Sequence, residues 1–182
     1  MDTDDFSIKN RFEKQINVFL NDSTIDLVGS NIVEYDETMQ NIIAQKNVPE
    51  KDNEIKNYLK KRNPFNHMSV MYKKSSVEAA GNYLDCPYFE DYYLWCRMAK
   101  NGCKFYNIQE DLINVRGGFS MIERRGGSSY NKDILNFQRK ILELGIIGKI
   151  DFLSNLFIRV TISSMPSSIR MKFYKLKLRK SK

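Results

Sequence analysis

The sequence predicts an α/β fold. Stretches rich in Ile and Val share the chain with amphipathic helical stretches, without the strict alternation of a doubly wound sheet. Of 182 residues, 42% are hydrophobic and 12% aromatic, enough to bury a core. Nine Gly and four Pro exclude collagen-like or linker-like sequence.

The elements follow in order. Phe12, Ile16, Phe19 and Leu20 recur at helical spacing and predict a helix over Lys9–Leu20, with these residues as one face. Ile25–Tyr35 reads as a strand, bent at Gly29. Asp36–Pro49 reads as loop, and Asp52–Lys61 as a short polar helix. Asn63-Pro64 resets the chain. His67–Tyr72 reads as a strand, and Ser75–Ala80, closed by Gly81, as a short helix. After an aromatic loop, Tyr83–Phe89, a helix spans Glu90–Asn101, acidic at its start, basic towards its end and followed by Gly102. Lys104–Ile108 and Leu112–Arg116 predict two strands. Glycine pairs bracket a mobile loop from Gly117 to Gly127. Tyr130–Leu144 and Ile146–Ile162 predict helices, and Pro166 sets off a last amphipathic helix, Ser167–Arg179.

Charge is uneven. Eight bases and no acid lie between Phe157 and Lys182: Arg159, Arg170, Lys172, Lys175, Lys177, Arg179, Lys180 and Lys182. The other residues carry 21 basic and 22 acidic groups, so a near-neutral body precedes a basic tail suited to an anionic partner. Nucleic acid is not the expected partner, because no binding motif is present and the charge is confined to the tail. In the tail, Ile169, Phe173 and Leu176 form a stripe flanked by bases, which predicts an anionic membrane surface as partner. No apolar run can span a bilayer and no secretory signal is present, so the expected place is cytoplasmic, peripheral at the inner face of the plasma membrane. Cys86, Cys96 and Cys103 lack the spacing of a zinc site and are expected to be reduced thiols.

Two acidic groups carry the chemistry. In an extended Asp2-Thr3-Asp4-Asp5, Asp2 and Asp4 point the same way, an oxygen pair suited to Mg²⁺ or Mn²⁺ with Asp5 in support. A solvated or helix-capping acidic cluster is the other reading. Glu90-Asp91 opens the central helix, where Asp91 shares a face with Leu94, Trp95 and Met98. That places Asp91 at the rim of the core and at a helix N-terminus. The dipole keeps it ionised, partial burial raises its basicity, and such a carboxylate can deprotonate a sugar hydroxyl. Ordinary helix-opening acids are the other reading.

"MDTDDFSIKNRFEKQINVFLNDSTIDLVGS" resembles the metal-motif segment of family 2 glycosyltransferases. "NPFNHMSVMYKKSSVEAAGNY" and "EDYYLWCRMAKNGCKFYNI" resemble their acceptor-side segment, and the closing "MPSSIRMKFYKLKLRK" is similar to bacterial exopolysaccharide transferases of the amylovoran type. The resemblance implies a partial GT-A fold with C-terminal helices: residues 1–128 as the acceptor-side part and 129–182 as a helical extension with the basic tail. It implies a nucleotide-sugar donor, a saccharide or lipid-linked saccharide acceptor, and metal-dependent transfer with inversion. Asp2 and Asp4 match the ends of the D-x-D motif, Asp5 the acid after it, and Asp91 the base with Glu90 beside it. His67 matches a position near acceptor and donor phosphates, and Trp95 one that packs or stacks on the acceptor. Arg116, Arg124 and Arg125 match the loop over the donor diphosphate.

The same resemblance implies a nucleotide-binding half before the D-x-D, about 80 residues that Met1 replaces, given roughly 30 residues per βαβ unit. The chain is therefore expected to be a truncated or split transferase, with a separate N-terminal half as a further partner in the split case, and the Phe12/Ile16/Phe19 face of its first helix is expected to lose part of the surface it packs on. A non-catalytic remnant that binds a membrane or partner is the alternative.

Overall fold

The computed structural model describes residues 5–117 and 126–170. Its axis is the strand at Ile25–Tyr35 (β2), bounded as the β-branched run predicts. Around it lie a short strand Phe6–Ser7 (β1), the helix Arg11–Asn21 (α1), a strand Ile42–Lys46 (β3) and the helix Asp52–Leu59 (α2). A 3₁₀ turn His67–Ser69 leads into the two-residue strand Met71–Tyr72 (β4) and the helix Lys74–Ala79 (α3). Then come the helix Glu90–Lys100 (α4), the strand Lys104–Arg116 (β5) and the helices Ser128–Glu143 (α5) and Lys149–Ser163 (α6). The fold is α/β. The sheet runs β1-β5-β2-β3, with β4 also on β2; β2 and β5 are parallel and the other pairs antiparallel.

The larger core lies on the face covered by α2, α4 and α5, where Leu27, Ile55, Leu59, Phe65, Trp95, Phe105 and Phe137 are buried together. A smaller cluster of Ile25, Val28, Ile108 and Leu112 lies under Val18 and Phe19 of α1. Asn155 and Arg159 fasten α6 to the end of α2, donating to the carbonyls of Lys60 and Lys61 (both 2.8 Å). The Arg159 guanidinium also lies 5.8–5.9 Å from the ring centres of Phe89, Tyr92 and Phe137.

Several expectations are corrected. The helical periodicity of α1 is right, and its apolar face is exposed at Phe12, Ile16 and Leu20, joined by Phe6; what the periodicity did not predict is that Arg11 and Gln15 are buried. Polar contacts won the inner face, since Gln15 Nε2 donates to the carbonyls of Val28 (3.1 Å) and Ser69 (2.7 Å). The expected loop Asp36–Pro49 contains β3, an edge strand turned by Asp36, whose carboxylate accepts from Thr38, Gln40 and Asn41. Those bonds, Asn41 first, hold the Asp36 carboxyl down at about 2. The two strands after Gly102 are one, with Gln109 and Glu110 skipped by the β2 register between Ile108 and Asp111. The register breaks after Ser30, not at Gly29. Half of His67–Tyr72, His67–Ser69, is 3₁₀ turn, and only Met71–Tyr72 is strand. Arg159 and Arg170, counted with the basic tail, are folded inward; Arg170 donates to the carbonyls of Ser163 and Met165. The loop residues 118–125 and most of the last predicted helix, 171–182, lie outside the described residues.

Gly29 is needed for close approach. A Cβ there would stand 2.2 Å from Asn107 Oδ1 and 3.1 Å from Phe65 Cδ1. Asn107 cannot yield, because its Nδ2 is tied to the carbonyls of Pro49 (2.7 Å) and Pro64 (3.1 Å). Gly29→Ala is expected to lower stability by about 1–3 kcal/mol in urea denaturation.

All three cysteines are free and buried. Burial pushes the Cys86 thiol up to about 11 and raises Cys96 and Cys103 as well. A raised value keeps the thiol protonated and unreactive at pH 8. The native chain is expected to give no reaction with a thiol-disulfide reagent at that pH, and three equivalents after denaturation.

Candidate active site

The N-terminus of α4 forms the floor of a cleft of about 330 Å³ lined by His67, Tyr83, Glu90 and Asp91. The helix is set by its buried face: Leu94, Trp95 and Met98 have no exposed surface. Its first turn therefore emerges at the core's rim, as the i, i+3, i+4, i+7 spacing predicts. Asp91 keeps 20% of its side chain exposed and His67 keeps 53%.

Two partners hold the Asp91 carboxylate. Oδ1 accepts from the Tyr92 N–H (2.6 Å) and Oδ2 from Asn63 Nδ2 (2.8 Å). Asn63 is itself fixed, because its Oδ1 accepts from the Phe65 N–H (3.1 Å). A carboxylate offers about four lone-pair sites, so Asp91 can still accept a proton from the cleft. The His67 Nδ1 stands 3.9 Å from Asp91 Oδ2.

His67 is placed by its neighbours in the turn. On β2, the pairing with β4 covers Leu27 and Val28 and the pairing with β3 begins at Ile32. Between them, side chains serve the strand. Ser30 N–H donates to Ser69 Oγ (3.1 Å), and Asn66 Nδ2 donates to the Ser30 carbonyl (2.8 Å). Ser69 Oγ also donates to the Asn66 carbonyl (2.8 Å), closing the turn on itself.

Tyr83 is set by Arg97. From α4, Arg97 donates to the carbonyls of Ala80 and, at 2.6 Å, Asn82. That fastens a turn with positive φ at Gly81 and Asn82 (83° and 58°). Tyr83 then meets the His67 ring edge-on, centres 6.5 Å apart. Burial first, and then Tyr72 and Asp91, push the Tyr83 hydroxyl well above its ordinary value, so it stays a neutral donor and acceptor.

The structure thus brings His67, Glu90 and Asp91 together. It corrects Trp95, which is wholly buried with its ring 5.7 Å from Phe65 and 6.1 Å from Tyr72, and so cannot stack on an acceptor. Asp5 and Arg116 form a second locus at the strand ends, where Asp5 Oδ1 accepts from the Arg116 N–H (3.2 Å) and Arg116 Nη1 donates to the Glu37 carbonyl (3.0 Å). Five positions of β2, about 17 Å, separate Ser30 beside the His67 turn from Tyr35 beside Arg116. Asp2, Asp4, Arg124 and Arg125 lie outside the described residues. Among the described residues, no three His, Cys, Asp or Glu side chains converge on a cation position. Sequence reasoning missed Asn63 and Tyr83. Asn63 was legible only as the turn residue before Pro64, and Tyr83 only as one of an aromatic run.

No protein-family profile matches the chain. It is 36% identical over 180 residues to an uncharacterised glycosyltransferase of Haemophilus influenzae, covering 99% of this chain and 67% of that protein. It is 36% identical over 174 residues to the amylovoran biosynthesis glycosyltransferase AmsE of Erwinia amylovora, covering 96% and 65%. It is 31% identical over 179 residues to the UDP-Gal:alpha-D-GlcNAc-diphosphoundecaprenol beta-1,3-galactosyltransferase of Escherichia coli, covering 98% and 65%. The chain thus spans about two thirds of the length of these relatives.

Asn66→Ala and Ser69→Ala each remove a side-chain partner from a buried backbone group of Ser30, whose carbonyl also stands 3.3 Å from Ser69 Oγ. Each is expected to cost about 1–3 kcal/mol in urea denaturation. The two should be non-additive by at least about 0.5 kcal/mol in a double-mutant cycle, because both side chains serve one residue.

Proposed function

The chain belongs to the glycosyltransferases, and we propose that the protein carrying it transfers a sugar from a nucleotide-sugar donor to a saccharide in bacterial surface-polysaccharide assembly. The order and spacing of the motifs support a family 2 enzyme of GT-A fold. The observation that carries the reading is the cleft at the α4 N-terminus, where Asp91 is oriented by Asn63 and faces open space with Glu90, His67 and Tyr83.

In this reading an acceptor hydroxyl enters the cleft and gives its proton to Asp91 as its oxygen attacks the anomeric carbon. The bond from that carbon to the nucleoside diphosphate breaks on the opposite side, so configuration inverts in one displacement. Asn63 fixes the carboxylate, which removes an orientational cost from the reacting state. His67 and Tyr83 present a polar ring nitrogen and a neutral hydroxyl to acceptor hydroxyls, with Glu90 beside them. Asp2 and Asp4, supported by Asp5, would hold Mg²⁺ or Mn²⁺, whose chemistry is to neutralise charge on the departing diphosphate. All three offer the hard carboxylate oxygens such ions take, and Asp5 lies at the strand-end locus with Arg116. Arg116, Arg124 and Arg125 would add cationic contacts there.

The diphosphoundecaprenol acceptor in the name of the Escherichia coli relative supports a lipid-linked saccharide as acceptor. The six bases of residues 171–182 support a position at the inner face of the plasma membrane. The exposed Phe6, Phe12, Ile16 and Leu20 favour a nucleotide-binding half, in the same polypeptide or a separate one, packed on α1.

The test is Asp91→Asn in the full-length protein that contains this chain, with nucleotide-sugar donors and a lipid-linked acceptor. The expected result is a fall in kcat of about 10²–10⁴-fold with an unchanged far-ultraviolet circular dichroism spectrum. Near-full transfer by the variant would remove Asp91 from the base role. A product of retained anomeric configuration would rule out the single displacement.

A further inference from the structure

Helix α6 is apolar on both sides. Its inner side packs Phe152, Leu156 and Val160 against the main core. Its outer side exposes Ile150 (85%), Leu153 (64%), Phe157 (74%) and Ile158 (51%). The other exposed residues from Ile150 to Ser164 are Ser154, Thr161 and Ser164, so the one charge of that span bordering this face is the half-buried Asp151 at its N-terminal edge. A groove of about 930 Å³ runs along it, with Leu135 of α5 on the opposite wall and Met165 and Pro166 among its lining. A solvated helix face is charged, and a helix apolar all round is a covered one. At 15 residues α6 is too short to cross a bilayer, and no helix among the described residues is long and apolar enough to do so.

We propose that this face of α6, with the α5–α6 groove, lies in the plane of an anionic bilayer and inserts Ile150, Leu153 and Phe157 among the lipid chains. Charge selects this occupant. Exposed Lys132 and Arg139 lie three residues before and four after Leu135, next to it on the surface of α5, and exposed Lys149 stands beside Ile150. From Ser128 to Lys182 the chain holds ten basic residues besides the inward-folded Arg159 and Arg170, against three acidic ones, and six of the bases come after Arg170. A second copy docked face to face would set these like charges against each other. Anionic head groups accept them while the acyl region takes the uncharged face. The inference uses neither Asp91 nor the cleft, and it stands apart from the catalytic reading.

The experiment is co-sedimentation of the 182-residue chain with phosphatidylcholine vesicles, with and without phosphatidylglycerol. Binding is expected on the anionic vesicles, weakened by salt and weaker on phosphatidylcholine alone. Leu153→Ser and Phe157→Ser are each expected to weaken it roughly tenfold with an unchanged circular dichroism spectrum. In a Phe157→Trp variant, bromine-labelled lipid chains are expected to quench the added fluorescence. Equal binding by the serine variants, or no quenching in the Phe157→Trp variant, would show that charge alone holds the chain at the surface and overturn insertion. No binding to either vesicle would overturn the proposal outright. So would a dimer in sedimentation equilibrium that the serine variants abolish, since it would make a second copy the occupant.

Discussion

At Ser30 the central strand has no strand on one side, and two side chains take its place. Its N–H goes to Ser69 and its carbonyl takes Asn66, both from the same short turn. A buried peptide group without a partner is costly, so this substitution fixes the turn as firmly as a ladder would. Much of the local order follows. Gln15 reaches the same place from α1, joining the Val28 and Ser69 carbonyls and drawing the polar side of that helix inward. Asn31 takes the Val48 N–H (2.9 Å) and fixes the chain leaving β3. The turn in its fixed place sets His67 over the start of α4.

The other half of the cleft is an outcome of packing. Trp95 and Phe65 meet edge to face, and Phe65 meets Phe105 in the same way at 5.4 Å. That aromatic chain links α4, the segment after Pro64 and β5. Asn63 stands two residues before Phe65, so the packing that anchors Phe65 also aims the amide at Asp91. One rigid unit carries the carboxylate and its orienting partner. Arg97, from the same helix, fastens the turn that carries Tyr83.

The elements legible in the sequence are those whose tertiary and local demands coincide. Ile25–Tyr35 is paired with β5 along its length and buried over most of it, so its β-branched residues face what they prefer. In α4 the buried residues are apolar apart from Arg97, and Asp91 falls at the rim as its spacing from Leu94 and Trp95 requires. In α1 the demands diverge. Buried backbone carbonyls near Ser30 need a donor, Gln15 supplies it from the side the apolar pattern does not mark, and the apolar stripe is turned outward. β3 escaped notice because an edge strand of five residues has one partner and little burial to mark it. The split of β5 into two strands mistook a bulge for an end. Asp91, Glu90 and His67 were legible as types at a spacing. Asn63 and Tyr83 were not, since their place depends on a turn after Pro64 and on an arginine fourteen residues beyond Tyr83.

The end of α2 is closed by side chains that come 95 and 98 residues later, Asn155 on the Lys60 carbonyl and Arg159 on that of Lys61. Because Arg159 also stands against the rings of Phe89, Tyr92 and Phe137, the same step completes the aromatic core between α4 and α5. A contact of such long sequence separation forms only after its loop-closure entropy has been met. During synthesis the Lys60 and Lys61 carbonyls therefore stay without these two donors until α6 has been made, about a hundred residues later. The end of an early helix is thus finished by a late one: α6 completes α2.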